Sequence, residues 1–506
     1  MKVLALQKLS WDVVIEWLHS FQLEDKAKVL AVYQYLLPAA PLLAKLAASC
    51  QYYDNPHLTQ LFLPILVLKG KIHVTTYNIK QVLSYWEDSL HNSGVSHITH
   101  LKVEDITSQQ YLSFLPLLGH LTNLQVLVIG SFVGDDLLAV LGMNCHHLVI
   151  FDVREEDMGN LITDVGLAFL AHCRKLRRVY FSEFADEYDC SDEQLRFTGK
   201  GVSLLLLLPE IEHIQCSEYI LRDALHFLYQ ATYNKQTIAV QHLMLDHEEV
   251  TVNTLQTLPI LCPKLEVLAL RSDPGNETTI GRSLKLLPHL KMLIMTVGSV
   301  CRFQDLMFSS YGPQLTFLYL TSYLLESQDL IILSQSCTQL KTFVLKMHSF
   351  GFDISNSNSI DSLFPTVEKL ELMQNISVRL FKILNAKMKN LQEVHCMWAT
   401  IYNLNEALEV VIEGGGWRNV QLLVLPVSCE IKLQTAQMVA TALPNLKSLA
   451  VSVHQPDERK FWNFVEKNFP NLERINLYPV LPPSSTGIFS QDPWNSSWVD
   501  NIGKRS

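Results

Sequence analysis

Fifteen times between Ile98 and Leu477 the chain repeats one short phrase: a large apolar residue, two variable positions, an apolar residue, one variable position, and a further apolar residue. Leu265-Glu-Val-Leu268-Ala-Leu270 and Leu315-Thr-Phe-Leu318-Tyr-Leu320 are clear copies. The phrases begin at Ile98, Leu124, Leu148, Leu176, Ile211, Val240, Leu265, Leu290, Leu315, Leu340, Val367, Leu391, Val420, Leu446 and Leu472. Their spacing is 24 to 29 residues, except for an interval of 35 after Leu176. Within a phrase the last apolar positions alternate with variable ones, which is the period of a strand. Upstream lies a helix-like stretch such as Ile162 to Leu176, where Asp164 suits a helix cap and Val165, Leu167, Phe169 and Leu170 suit an inner face. Each unit therefore predicts strand, loop, helix, loop, an α/β chain whose strands stack into a parallel sheet. Such an array grows by stacking on neighbours, so a length of 506 residues does not demand several separate cores.

A period in the mid-twenties carrying this phrase is the signature of a leucine-rich repeat. Cys145, Cys173, Cys262 and Cys337 each stand three residues before a phrase. Pro288, Pro313, Pro365, Pro444 and Pro470 stand two residues before one, where they end a helix. The Cys-x-x-Leu ending, with the Ile-Thr-Asp-x-Gly-Leu beginning at Ile162, resembles the cysteine-containing repeats of F-box/leucine-rich-repeat proteins and the wider ribonuclease-inhibitor-like group. The resemblance covers residues 98–480. It implies a leucine-rich-repeat solenoid, with the sheet lining a concave face and the helices outside.

Residues 1–60 do not follow the repeat and divide into short helical stretches, with 61–97 as a linker leading into the array and 481–506 as a tail. The string from Leu9 to Asp25, with Val13, Val14, Trp17, Leu18 and Phe21, resembles the opening of an F-box. Lys26 to Leu36 falls where that family has its second helix, and Tyr52 to Leu58 resembles its link to the first repeat. Ser10, Asp12, Tyr33 and Leu36 differ from the proline, glutamate, cysteine and tryptophan usual there. The resemblance implies that Leu9, Val13, Val14, Trp17, Leu18, Phe21, Val29 and Val32 contact a Skp-type adaptor. The same apolar face would also serve as a cap over the first strand, which terminal repeats require, or as another kind of adaptor-binding box, and the residues leave all three open.

Two surfaces follow from stacking. If the fourth and sixth positions of a phrase point into the core, the third, fifth and seventh face the concave side. From the seventh to the tenth repeat these outward residues are almost all apolar, so Val267, Met292, Ile294, Phe317, Tyr319 and Val344 are expected to form an exposed strip for a protein partner. A loop or the tail folded over the strip is the alternative. Just past the strands, Glu155, Glu156, Asp157, Glu183, Asp186, Glu187, Asp189, Asp246, Glu248 and Glu249 are expected to line one acidic rim, enlarged by an insertion from Phe184 to Lys200. That rim suits either a basic docking segment or a solvated edge.

Little points to chemistry or to other partners. A net charge of −10 argues against nucleic acid. The run Leu204 to Leu208 is far short of the ~20 apolar residues of a membrane span, and the first residues lack a secretory signal pattern. Ten scattered cysteines without a Cys-x-x-Cys pair suggest buried, reduced thiols in a cytosolic or nuclear protein, where the sequons at Asn276, Asn375 and Asn495 would be silent. His213 and His242 hold equivalent positions in adjacent repeats, which fits surface histidines better than a metal site. Gly414-Gly415-Gly416 reads as a helix stop. The tail holds Trp494 and Trp498, suited to packing or to a linear motif. No catalytic motif and no cofactor motif is present. The resemblance implies a substrate receptor of a cullin-based ubiquitin ligase, cytoplasmic or nuclear, holding a target protein on its concave face. The alternatives are a repeat scaffold or inhibitor without a ligase, and a sensor that binds a nucleotide or small ligand around Phe317 and Tyr319.

Overall fold

A computed structural model describes residues 71–74, a few positions of 79–86, and most of 97–478, without 154–160, 182–196, 299–305, 354–362, 453–459 and some shorter stretches. The chain forms two compact units, Met1–Met244 with Ile260–Leu265, and Leu245–Pro259 with Glu266–Ser506. The first holds β1 (Lys71–Val74), β2 (His100–Glu104), β3 (Val126–Gly130), β4 (Ile150–Val153), β5 (Arg178–Phe181), β6 (His213–Gln215) and the start of β7 (His242–Glu249). Consecutive strands pair in parallel.

The second unit holds β8 (Val267–Ser272), β9 (Met292–Val297), β10 (Phe317–Ser322), β11 (Leu325–Glu326), β12 (Thr342–Met347), β13 (Phe352–Asp353), β14 (Lys369–Asn375), β15 (Glu393–His395), β16 (Ala399–Thr400), β17 (Leu422–Val424), β18 (Ser448–Ser452) and β19 (Arg474–Tyr478). β11 and β13 form a small parallel ribbon of their own, and β16 lies beside the end of β14. The others run in parallel order through the unit. This is an α/β leucine-rich-repeat architecture, and every one of the fifteen phrases leads into a strand that begins two residues after its first apolar position.

The reason is visible at each strand's start. The carbonyl just before one strand accepts from two successive amides of the next repeat, as Thr99 O does from Gln125 N (2.7 Å) and Val126 N (2.9 Å). Glu368 O does the same with Gln392 N (2.7 Å) and Glu393 N (3.0 Å). This fork fixes the register, and the first apolar residue of every phrase from Ile98 to Leu446 is buried beneath it. The cysteines fit the same plan. Cys145 Sγ lies 3.9 Å from Leu118 O and 3.6 Å from Leu121 O, and Cys173 Sγ lies 3.6 Å from Leu141 O, each thiol facing carbonyls at or just past the helix end of the preceding repeat. Burial pushes the thiols of Cys145, Cys173, Cys262 and Cys337 up to about 12.

Two features differ from the sequence expectation, and a third was not legible in it. Among the described residues the sheet begins one strand before the first phrase, at β1, where Lys71 pairs with His100. Its phrase would open on Lys69, so the apolar pattern hides it, although Ile72 and Val74 enter the core. Thr163, not Asp164, caps the helix Asp164–Leu170 by accepting from Val165 N, and Val165, expected on the inner face, is exposed while Leu167 and Leu170 are buried. Asp164 instead accepts from Thr198 N at 2.7 Å in the next repeat, as Asp135 does from Thr163 N at 2.7 Å. Lastly, the indole N–H of buried Trp417 donates to the side chain of buried Asn385 (2.6 Å), whose own amide donates to Phe381 O (2.8 Å). Helix Leu404–Glu413 ends where the glycine run begins.

Helices of adjacent repeats pack closely. A Cβ on Gly142, in helix Asp135–Asn144, would stand 2.7 Å from the Phe169 carbonyl carbon of the next helix and nearer still to its oxygen. Gly142→Ala therefore reverses the usual helix gain of alanine. It is expected to destabilise by about 1–3 kcal/mol, read as a lower denaturant midpoint of the full chain.

Candidate functional site

Register arranges the concave residues of the second unit in rows. The third-position row runs Met292, Phe317, Thr342, Lys369 and Glu393, and the fifth runs Ala269, Ile294, Tyr319, Val344, Glu371 and His395. The six residues expected to form an apolar strip thus do adjoin. They are not an open patch, however. Val267 (4% exposed), Ile294 (8%), Tyr319 (7%) and Val344 (2%) are buried, while Met292 and Phe317 are half-buried. Parallel strands stand about 4.8 Å apart, so side chains in one row cover each other's flanks. Tyr319 also leans across the sheet, its hydroxyl 3.8 Å from Met373 Sδ in the seventh-position row. The result is a packed apolar floor whose accessible part is the edges of Met292 and Phe317.

At the end of this floor the fifth-position row turns polar. Glu371 is only 9% exposed, and one of its carboxylate oxygens, Oε2, has no hydrogen-bond partner. Burial pushes its carboxyl above the usual range, opposed by the nearby charges of Lys369 and His395. Those two neighbours are engaged elsewhere: Lys369 Nζ lies 3.8 Å and His395 Nε2 3.4 Å from Glu393 Oε2. Neither Glu371 nor His395 stood out as a site residue in the sequence. The available signal was that Glu371 interrupts an otherwise apolar row.

The remaining expectations fare variously. The adaptor-contacting residues Leu9, Val13, Val14, Trp17, Leu18, Phe21, Val29 and Val32 lie outside the described residues. So do Glu155, Glu156, Asp157, Glu183, Asp186, Glu187 and Asp189 of the acidic rim. Asp246, Glu248 and Glu249, expected just past the strand, belong to β7 itself, which continues to Glu249. Helix Gly199–Leu206 begins inside the span read as an insertion. His213, expected at the surface, is buried, packed between Tyr180 (ring centroids 5.2 Å) and His242 (5.9 Å). Row packing is again the cause, since His213 and His242 are register partners. Among the described residues no group of three or more histidine, cysteine, aspartate or glutamate side chains could hold a metal ion, and no helix is long and apolar enough to cross a membrane.

An open polar groove lies along the other end of the strands, lined by residues such as Lys341, Glu368, Gln392 and Gln421. Asparagines build its edge. Asn390 donates to Pro365 O (2.6 Å), Asn419 to Lys389 O (3.4 Å) and Asn445 to Arg418 O (3.3 Å). These donors tie each repeat to the one before it, so the groove edge is structural.

No protein-family model matches the sequence, and no curated protein does. Among solved structures, the Rad7–Elc1 complex of yeast is similar at a TM-score of 0.39 and 14% identity, covering 94% of this chain and 97% of that one. The leucine-rich-repeat-containing protein LegL7 from Legionella pneumophila gives a TM-score of 0.33 at 13% identity, covering 53% of this chain and 91% of that one. At these scores the likeness adds nothing to the fold that the chain's own strand registers establish.

Glu371 costs stability where it stands. Its folded carboxyl titrates above the unfolded value, so the protonated form is the better tolerated and stability falls as pH rises through the carboxyl range. Glu371→Leu is expected to stabilise the chain by about 1–3 kcal/mol near pH 7, with the gain shrinking towards about pH 4. Denaturant midpoints at the two pH values check this.

Proposed function

We propose that the chain is a substrate-recognition subunit of an SCF-type cullin–RING ubiquitin ligase. In this reading the segment from Leu9 to Leu36 holds a Skp-type adaptor, and through it a cullin. The concave face of the repeats holds the protein to be modified. The chain performs no chemistry and needs no cofactor. It supplies proximity, keeping a target lysine near a conjugating enzyme bound elsewhere. A cytoplasmic or nuclear setting suits that work.

The observation that carries this reading is the F-box-like string at Leu9–Asp25 standing ahead of a repeat array. The apolar floor of the second unit supports the recognition half of it, since aromatic and methionine side chains flanked by polar groups are typical of binding hot spots.

A second reading is a repeat scaffold or inhibitor without a ligase. One observation favours it: among the described residues the sheet starts at β1, and an end strand needs a cover. The two separate in one experiment. The full chain and a variant with Val13, Trp17, Leu18 and Phe21 all changed to alanine are captured from cells. The receptor reading expects adaptor and cullin with the native chain and a loss of about tenfold or more with the variant. Absence of cullin from both captures rejects it.

A further inference from the structure

The fifth-position row of the second unit places an apolar floor and an unpartnered carboxylate oxygen side by side. Val344 is the register partner of Glu371, and Tyr319 is the register partner of Val344. Glu371 lies between Leu370 and Leu372, both in the core, so by strand alternation its side chain faces the concave side with Lys369 and Met373. Resting on the reading of this concave face as the partner-binding surface, we propose that it takes a lysine or arginine side chain of a protein partner. The aliphatic stem of that side chain lies on Val344 and Tyr319, and its charged head meets the Glu371 carboxylate.

Three observations select a cation. Glu371 Oε2 is buried without a donor, and a buried polar atom is normally satisfied, so an incoming donor is what the site lacks. The local charge is unbalanced in the same sense. Lys369 and His395 lie near enough to act on the Glu371 carboxyl, yet the carboxylate each of them contacts is Glu393, so neither forms an ion pair with Glu371. An anion would meet two carboxylates, and a metal ion would meet the Lys369 ammonium within the cluster.

The apolar floor then selects the kind of cation. Lysine and arginine lay their methylene stems along apolar surface while the head seeks a charge, and arginine also favours an aromatic face such as Tyr319. The distances suit this. Glu371 stands two strands from Tyr319, about 10 Å at the spacing of a parallel sheet, within reach of a long basic side chain seated over Val344. On the near side Met292 and Phe317 are half-buried, so their accessible edges can receive apolar residues flanking the basic one.

Three synthetic tripeptide amides test the proposal by ligand-observed NMR with the full chain near pH 7.5, a pH (~7.5) at which histidine is largely neutral. They are acetyl-Leu-Lys-Leu, acetyl-Leu-Arg-Leu and an uncharged control with norleucine at the centre. The basic peptides are expected to bind about tenfold tighter than the control, the size of one charge-assisted hydrogen bond. Glu371→Gln should remove that preference and leave control binding unchanged, whereas Tyr319→Ala should weaken all three. Glu371→Leu, expected to be the more stable variant, should behave as Glu371→Gln does, so loss of preference cannot be laid to misfolding. Equal binding of all three peptides to the native chain overturns the cation site while leaving the concave face as a binding surface. Binding of none overturns both.

Discussion

The fork of hydrogen bonds at the start of each strand is the constraint on which everything else depends. One carbonyl accepts two successive amides of the following repeat, and this happens from Thr99 to Glu212 in the first unit and from Glu266 to Gln421 in the second. It sets the register at a single value, because a slip of one residue would turn the leucines of each phrase out of the core. Once the register is fixed, the helices have one place to pack, and Gly142 and Gly281 become necessary where neighbouring backbone comes too close for a side chain. The thiols of Cys145 and Cys173 find carbonyls at or just past a helix end for the same reason.

Register also writes the surface. Outward residues that are far apart in sequence become neighbours in rows, and the character of a row is set by which side chains the repeats happen to supply. In the second unit the fifth-position row passes from Ile294 and Tyr319 through Val344 to Glu371 and His395. An apolar floor that ends at a buried, partly unsatisfied carboxylate is costly to fold. A recognition surface is the kind of place where such a cost is tolerated, since the missing hydrogen bond can come from a partner.

Much of this was legible in the sequence. The phrase located all fifteen of its strands, because burial of its leading residue is a property of one repeat and needs no knowledge of the others. β1 escaped because Lys69 occupies the leading position and the apolar cue is absent. The concave rows were foreseen as rows but not as a packed floor. Exposure there depends on lateral contact, such as Tyr319 reaching Met373, and a one-dimensional pattern does not contain it. Pairings between repeats, such as Asp164 with Thr198 and Trp417 with Asn385, were hidden for the same reason. Glu371 was visible as a residue and invisible as a site, since its meaning comes from its burial.

The central claim is that recognition uses the sheet side of the second unit and not its helices. A photoreactive phenylalanine analogue placed at Phe317, half-buried on the concave floor, tests it against the same analogue at Val410, exposed on helix Leu404–Glu413. Irradiation in cells should give a discrete cross-linked species from Phe317 that is absent from Val410 and is lost when Tyr319 is changed to alanine. The same species from Val410, or none from Phe317, would contradict the account.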